Sequence, residues 1–277
     1  MILVTGATGK VGQEVVKELQ KRKAPFKVGA RSPEKVAGMD AVPFDFDRPE
    51  TFGAALAGVD SLFLLTPPGG TEREVAVVDA AKKARVKHLV KLSVWGADGE
   101  AFVFGRGHRA VERTIEASGL PWTFLRPNGF MQNFSTAHVA EIRNQGAFVL
   151  CGADGAYGII DARDIGAVAA KVLTEPGHEG KAYTLSGPEA LSNLQMAEKL
   201  SKAIGKPVKY VDMPEAEYKE MLVGFGMPEP FVDAFIDLQH YYHKGGGEPV
   251  TGDVEQLLGR KPGSFDKFAK DHAAVWK

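Results

Sequence analysis

One cysteine, Cys151, is all the thiol this chain contains, so no internal disulfide can form. That suits a reducing compartment, and a lone cysteine is more often a small buried hydrophobe than a nucleophile. Charge of one sign is also lacking: 34 basic residues stand against 35 acidic ones. Such a balance gives no broad attraction to nucleic acid or to a membrane surface. No apolar run approaches the roughly 18 residues of a membrane helix, and no leader-like segment stands before the first apolar stretch. A cytoplasmic protein without nucleic-acid or membrane partners is therefore expected, as a monomer or homodimer. Repeats, low-complexity tracts, G-x-S-x-G, a Walker-type lysine and paired cysteines are absent. Asp237, His240 and His243 have no further strong ligand in evident register, so no metal is expected.

What is present starts at the first residues. Ile2 to Val4 is short and apolar, like a buried strand, and runs into Gly6, Gly9 and Gly12 at intervals of three. Val11, Val15, Val16 and Leu19 then fall on one side of a helix. Strand, glycine turn and helix together form a phosphate cradle. Gly6 serves the tight turn, Gly9 the approach of a pyrophosphate, and Gly12 the close seating of helix on strand. The spacing G-x-x-G-x-x-G differs from the commoner G-x-G-x-x-G.

Strand-like and helix-like patterns alternate from there. Strands are expected at Phe26 to Ala30, Val42 to Phe44, Ser61 to Leu65, His88 to Ser93 and Trp122 to Arg126. Between the last two, a glycine-bearing loop over Gly96 to Gly107 leads to a helix from His108 to Ala117. Thr71 and Glu74 have capping-box spacing at the start of another helix. The pattern implies an α/β fold, a doubly wound parallel sheet of Rossmann type with a smaller C-terminal substrate lobe. Residues 1–127 are assigned to the dinucleotide-binding domain, with returning segments near 156–187. Residues 128–155 and 188–277 are assigned mainly to the lobe, expected to cover the strand ends where ligands bind.

Cofactor choice turns on the end of the second strand. An acidic residue there holds the ribose hydroxyls in NAD binders, but this chain reads Val28-Gly29-Ala30-Arg31-Ser32. Arg31 offers a planar fork suited to a 2′-phosphate, with Ser32 and Lys35 nearby, so NADPH is expected rather than NADH.

Several stretches resemble one family. Thr5-Gly6-Ala7-Thr8-Gly9-Lys10-Val11-Gly12, His108-Arg109-Ala110-Val111-Glu112, Ile115 to Thr123 and Leu125-Arg126-Pro127-Asn128 are similar to the NmrA-like, atypical short-chain dehydrogenase/reductase group. Asp161 to Gly166 and Val254 to Gly259 resemble its later landmarks. Within the group the chain looks most like bacterial NADPH:quinone oxidoreductases and triphenylmethane reductases. The resemblance implies that Gly6, Ala7, Thr8, Gly9, Lys10 and Val11 hold the pyrophosphate and Arg31 the 2′-phosphate. It places Asp45 and Phe46 by the adenine, Leu65, Thr66 and Pro67 along the middle of the cofactor, and Ser93 and Val94 near the nicotinamide ribose.

The chain departs from the wider group in its proton chemistry. No Tyr-x-x-x-Lys follows Ser93. Counting back from Ile115-Glu116 places His108 where isoflavone-reductase relatives carry a catalytic lysine. His108 is thus a candidate proton donor beside Ser93, the plainer reading being a helix-start histidine paired with Glu112. A missing tyrosine argues against alcohol and ketone chemistry and less against conjugated acceptors, whose reduced products spread the charge. The expected activity is NADPH-dependent hydride transfer to a quinone-, dye- or other conjugated small-molecule acceptor. An NADP-sensing regulator without turnover, and more weakly an isomerase or epimerase, are the alternatives. Trp95, Asn128, Phe130, Met131 and Gln132 are candidate substrate contacts, with further aromatics such as Phe102, Phe134 and Phe225. The Gly96 to Gly107 loop and Gly245-Gly246-Gly247 are candidate gates.

Overall fold

The structure is a computed structural model that describes residues 1–36, 38–67 and 70–277, and for Thr71 only the backbone. In chain order its elements begin β1 (Ile2–Val4), α1 (Lys10–Lys21), β2 (Phe26–Ala30), β3 (Ala41–Pro43), α2 (Phe52–Leu56) and β4 (Ser61–Leu64). Next come α3 (Glu74–Lys83), β5 (His88–Leu92), α4 (Val103–Ser118), β6 (Trp122–Pro127), α5 (Val139–Gln145) and β7 (Ala147–Leu150). The chain continues through α6 (Ala162–Thr174), β8 (Lys181–Leu185), α7 (Asn193–Ile204) and β9 (Lys209–Asp212). Helices α8 (Glu215–Gly224), α9 (Glu229–His243), α10 (Asp253–Leu258) and α11 (Phe265–Asp271) follow.

Two compact units divide the chain. The first takes Met1–Ala97, Arg106–Pro127 and Ala162–Thr184; the second takes Asp98–Gly105, Asn128–Asp161 and Leu185–Lys277. Seven strands form one sheet in the order β3-β2-β1-β4-β5-β6-β8, and the pairs from β3 to β6 are parallel. The order reverses at β1, which lies between β2 and β4, so the outward strands run opposite ways from that point. A doubly wound sheet binds ligands at such a reversal, beyond the carboxyl ends of the strands.

Burial on both faces explains the apolar strands of the first unit. Leu3, Phe52, Val77, Val78, Val111, Ile115 and Phe124 share one core cluster, joining the sheet to α2, α3 and α4. Helix α1 turns Val11, Val15, Val16 and Leu19 inward and packs against α6. Contact between these helices is close: a Cβ on Gly166 would stand 2.6 Å from that of Glu14.

The second unit holds its own core, including Phe134, Phe148, Leu200, Val232, Phe265 and Trp276. Its two-stranded parallel sheet joins β7 to β9. Ser192 caps α7 through a complete capping box with Gln195. Strand β7 is a finding beyond the sequence analysis. Its four residues lie almost 60 positions from their partner strand, and so short a run has no local signal of pairing.

Two expectations need correction. Helix α4 starts at Val103 rather than His108, which shortens the preceding loop; within the second unit, Val103 N–H is anchored on the Asp237 carboxylate at 2.7 Å. Helix α3 starts at Glu74 after a short 3-10 turn over Thr71–Arg73, with Arg73 at the capping position. The Glu74 side chain serves a different purpose, described below.

The steric demand on Gly12 is testable against a glycine under no such demand. A Cβ on Gly12 would lie 2.1 Å from Gly6 O, whereas one on Gly53 in α2 would meet nothing within 4 Å. Gly12→Ala should lose about 1–3 kcal/mol in urea unfolding, the scale of an overpacked site. Gly53→Ala should be neutral or gain up to ~1 kcal/mol, because alanine favours helix. Equal effects of the two substitutions would contradict the close helix–turn packing.

Candidate cofactor and reduction site

Glycine chemistry at the end of β1 builds the cradle. Gly6 adopts φ +63°, and a Cβ there would strike the Leu65 side chain at 2.7 Å. Gly12 has no room for a side chain at all. Gly9 differs: its Cβ would meet only Gly6 O, at 3.3 Å. One backbone oxygen thus crowds a side chain at Gly9, and the rest of the position opens to solvent beside exposed Thr8. Gly9 is the N-cap of α1 and supplies no side-chain cap, so the first amides of the helix are not consumed by a capping side chain. An open backbone and a helix N-terminus fit a pyrophosphate. Ala7 and Val11 are buried beneath this turn, while Lys10 starts the helix on the exposed side.

Thr5 ties the cradle to the neighbouring strand. Its hydroxyl accepts the Leu65 N–H at 2.9 Å and lies 3.0 Å from the carbonyls of Phe63 and Leu65. Leu65, Thr66 and exposed Pro67 are thereby set next to the glycine turn. Pro68 and Gly69 lie outside the described residues.

At the end of β2, Arg31 is exposed and forms no ion pair with any described residue. Its guanidinium donors remain available for an anion. Asp45 has a structural task, its carboxylate accepting the Asp47 N–H at 3.1 Å and its own N–H bonded to Thr51 Oγ1. Phe46 stands edge-on to Phe44 at 5.2 Å and is half-buried.

Ser93 follows β5 and is buried, and its hydroxyl donates to Glu112 Oε1 at 2.7 Å. Glu112 is wholly buried on α4 and is the hub of this region. Arg126 holds both its oxygens, Nε at 3.0 Å and a terminal nitrogen at 2.8 Å, and Arg109 adds a contact at 3.2 Å. Two charge-assisted guanidinium partners make this carboxylate a fixed acceptor. Ser93 has spent its only proton there and retains lone pairs alone. Val94 is half-buried beside it.

The pairing of His108 with Glu112 is therefore corrected, because Ser93, Arg126 and Arg109 occupy that carboxylate. His108 Nδ1 is enclosed and has no hydrogen-bond partner. Burial first, and then the Lys91 ammonium, hold the imidazole well below its usual pKa, so it is neutral near pH 7. The sequence does not single out Glu112: its place one turn after a histidine implies helix pairing, and nothing local marks Ser93 as its partner.

The proposed substrate contacts separate. Trp95 is buried in the first unit with its N–H on Pro127 O at 2.8 Å. In the second unit, Asn128 is buried with both ends of its amide engaged, Nδ2 on Gly247 O at 3.0 Å and Oδ1 on Gly129 N at 2.8 Å. Gln132 Nε2 donates to Asp161 at 2.8 Å, Met131 is core, and Phe130 is half-buried. Asn128 and Met131 are thus structural in this conformation, while Phe130 retains an accessible face. Of the further aromatics, Phe102 packs on Tyr241 at 4.7 Å, Phe134 is buried, and Phe225 is 74% exposed. The triple glycine is pinned rather than loose. Cβ atoms on Gly246 and Gly247 would strike the Tyr241 and Tyr242 rings at 2.3 and 2.5 Å, and Gly247 O accepts from Gly158 N as well as Asn128.

Comparison with known proteins places this geometry. The chain is 40% identical to the NAD(P)H azoreductase of Xenophilus azovorans, covering all of this chain and 99% of that one. The NADPH complex of the Escherichia coli quinone oxidoreductase QOR2 superposes with a TM-score of 0.87 at 29% identity, over 98% of this chain and 99% of that one. The Citrobacter triphenylmethane reductase gives a TM-score of 0.86 at 29% identity, with 99% of each chain covered. The model of the NmrA-like family matches residues 1–269, and the chain belongs to that family.

Proposed function

We propose that this protein is a cytoplasmic NADPH-dependent reductase that passes hydride directly to a conjugated acceptor such as a quinone, an azo compound or a triarylmethane dye. The observation that carries the reading is the commitment of the Ser93 hydroxyl to Glu112 in a chain where no Tyr-x-x-x-Lys follows Ser93 to donate a proton. The acceptors in the names of its relatives, azo compounds, quinones and triphenylmethane dyes, share a delocalised electron system.

Bound NADPH supplies the hydride. The residues of the chain bind and orient. Gly6 to Val11 present backbone amides to the pyrophosphate, Arg31 grips the 2′-phosphate, and Leu65 to Pro67 support the middle of the cofactor. Ser93, with lone pairs only, accepts a hydrogen bond from a ribose hydroxyl or a carboxamide. Neutral His108 does not act as a cationic acid, so protonation of the delocalised product falls to water. Orientation and proximity then make up most of the catalysis.

The reading is tested by NADPH consumption across a panel of quinones, azo dyes, triarylmethane dyes and simple ketones. Turnover with the conjugated members and none with the ketones is expected. Tight NADPH binding without turnover of any acceptor would replace the reductase by a cofactor-sensing regulator.

Arg31 sets cofactor choice. Arg31→Ala should weaken NADPH binding by ~2–3 kcal/mol, the scale of charge-assisted hydrogen bonds, and leave NADH unchanged in calorimetric titration. Parallel losses for both cofactors would remove Arg31 from the 2′-phosphate.

His108 makes a prediction about acid. Unfolded, its imidazole takes up a proton below pH ~6.5; folded, it resists until well below that. The unfolded state then binds more protons, so stability is fully present above ~6.5 and falls as pH drops through this window. His108→Gln should flatten that part of the slope relative to the parent in urea unfolding at pH 5 to 7, while turnover at pH 7 stays within about threefold. A hundredfold loss of turnover would restore His108 as a proton donor.

A further inference from the structure

Strand β5 lies in the interior of the sheet and reads His88-Leu89-Val90-Lys91-Leu92, every residue buried. A strand covered on both faces calls for apolar side chains, yet Lys91 has no exposed surface. Its ammonium donates to Glu74 Oε2, from a side chain 1% exposed at the first position of α3. The other oxygen of Glu74 accepts the hydroxyl of Thr66, immediately beyond β4. Lysine, glutamate and threonine thus form a continuous polar chain within the first unit, linking the middle of β5 to the loop after β4.

Stability does not account for this arrangement. Two charges taken from water regain little more than their desolvation cost, and an apolar pair of similar volume commonly serves as well. What the chain accomplishes is placement. Thr5 holds Leu65 from the glycine-turn side, and Glu74 holds Thr66 from the helix side. The backbone of this short segment is fixed between two polar anchors, and the ammonium of Lys91 holds the second anchor in place. The same ammonium acts on the imidazole of His108, so one buried cation reaches two of the candidate site groups.

We propose that Lys91 is a positioning residue for the bound dinucleotide, acting through Glu74 on Thr66 to fix the segment that supports the middle of the cofactor. This rests on the reading of the glycine turn and the Leu65–Pro67 segment as an NADPH site. Lys91 and Glu74 themselves touch neither cofactor nor acceptor.

The test uses three variants of the full chain: Thr66→Val, the charge-free pair Lys91→Met/Glu74→Leu, and the combination of all three. Thr66→Val removes one hydroxyl on a half-buried side chain, and the pair removes both charges together, so neither leaves a lone buried ion. Calorimetric titration with NADP+ should show each of the first two weakening binding about five- to tenfold, the effect of one lost hydrogen bond. Combining them should add almost nothing, because both cut one chain. The KM for NADPH should rise in step with the dissociation constant while kcat at saturating cofactor changes less than about threefold. A fall in melting temperature with unchanged NADP+ affinity would reduce the chain to a structural ion pair, and multiplicative losses in the triple variant would break the link between Lys91 and Thr66. Failure of the parent protein to bind NADP+ would instead overturn the underlying reductase reading, whatever the variants do.

Discussion

The approach of α1 to the turn after β1 is the constraint on which the rest depends. Gly12 packs so closely beneath Gly6 that no side chain fits between them, and Gly6 takes a left-handed conformation against Leu65. The helix N-terminus is thereby aimed over the end of β1, where the sheet order reverses. Gly9 is the exception that gives the arrangement its purpose. Only one backbone oxygen crowds a side chain there, at 3.3 Å, and the exposed remainder of the position lies at the N-cap of α1. Backbone geometry, rather than charged side chains, makes the anion site.

Around this cradle, buried polar groups are paired with one another instead of being held ready for proton transfer. Glu112 takes the Ser93 hydroxyl and two guanidinium partners, while Glu74 takes Thr66 and Lys91. These pairings leave a site rich in fixed dipoles and poor in acids, with a histidine kept neutral by burial and a neighbouring cation. Chemistry that must protonate an alkoxide is badly served by such a site. Acceptors that delocalise the incoming charge need no acid from the protein, and orientation is then the main service it provides.

The doubly wound sheet was legible because its evidence is local. Apolar runs of strand length, glycine at the first turn and the periodicity of α1 each stand within a dozen residues. Arg31 stands out as a candidate for the same reason, as the missing acid and the arginine occupy one strand end. Contacts over long separations were not. Strand β7 pairs with a strand almost 60 positions away, and Asn128 is spent on Gly247, more than a hundred residues along. Glu74 illustrates the difficulty most clearly. Its spacing from Thr71 resembles a capping box, but its carboxylate is turned inward to the buried ammonium of Lys91. A lysine in the middle of a buried strand was the one available signal, and reading it required knowing that β5 is covered on both faces.

Isotope tracing tests the central claim most directly: that hydride passes straight from the cofactor to the acceptor. NADPH deuterated at both C4 positions, with a triarylmethane dye as acceptor, places any transferred hydride on a carbon that does not exchange with water. The account predicts one deuterium per molecule of reduced dye by mass spectrometry, whether the solvent is water or D2O. Reduced dye that lacks the label in water, or gains it on carbon from D2O with unlabelled NADPH, would contradict direct transfer.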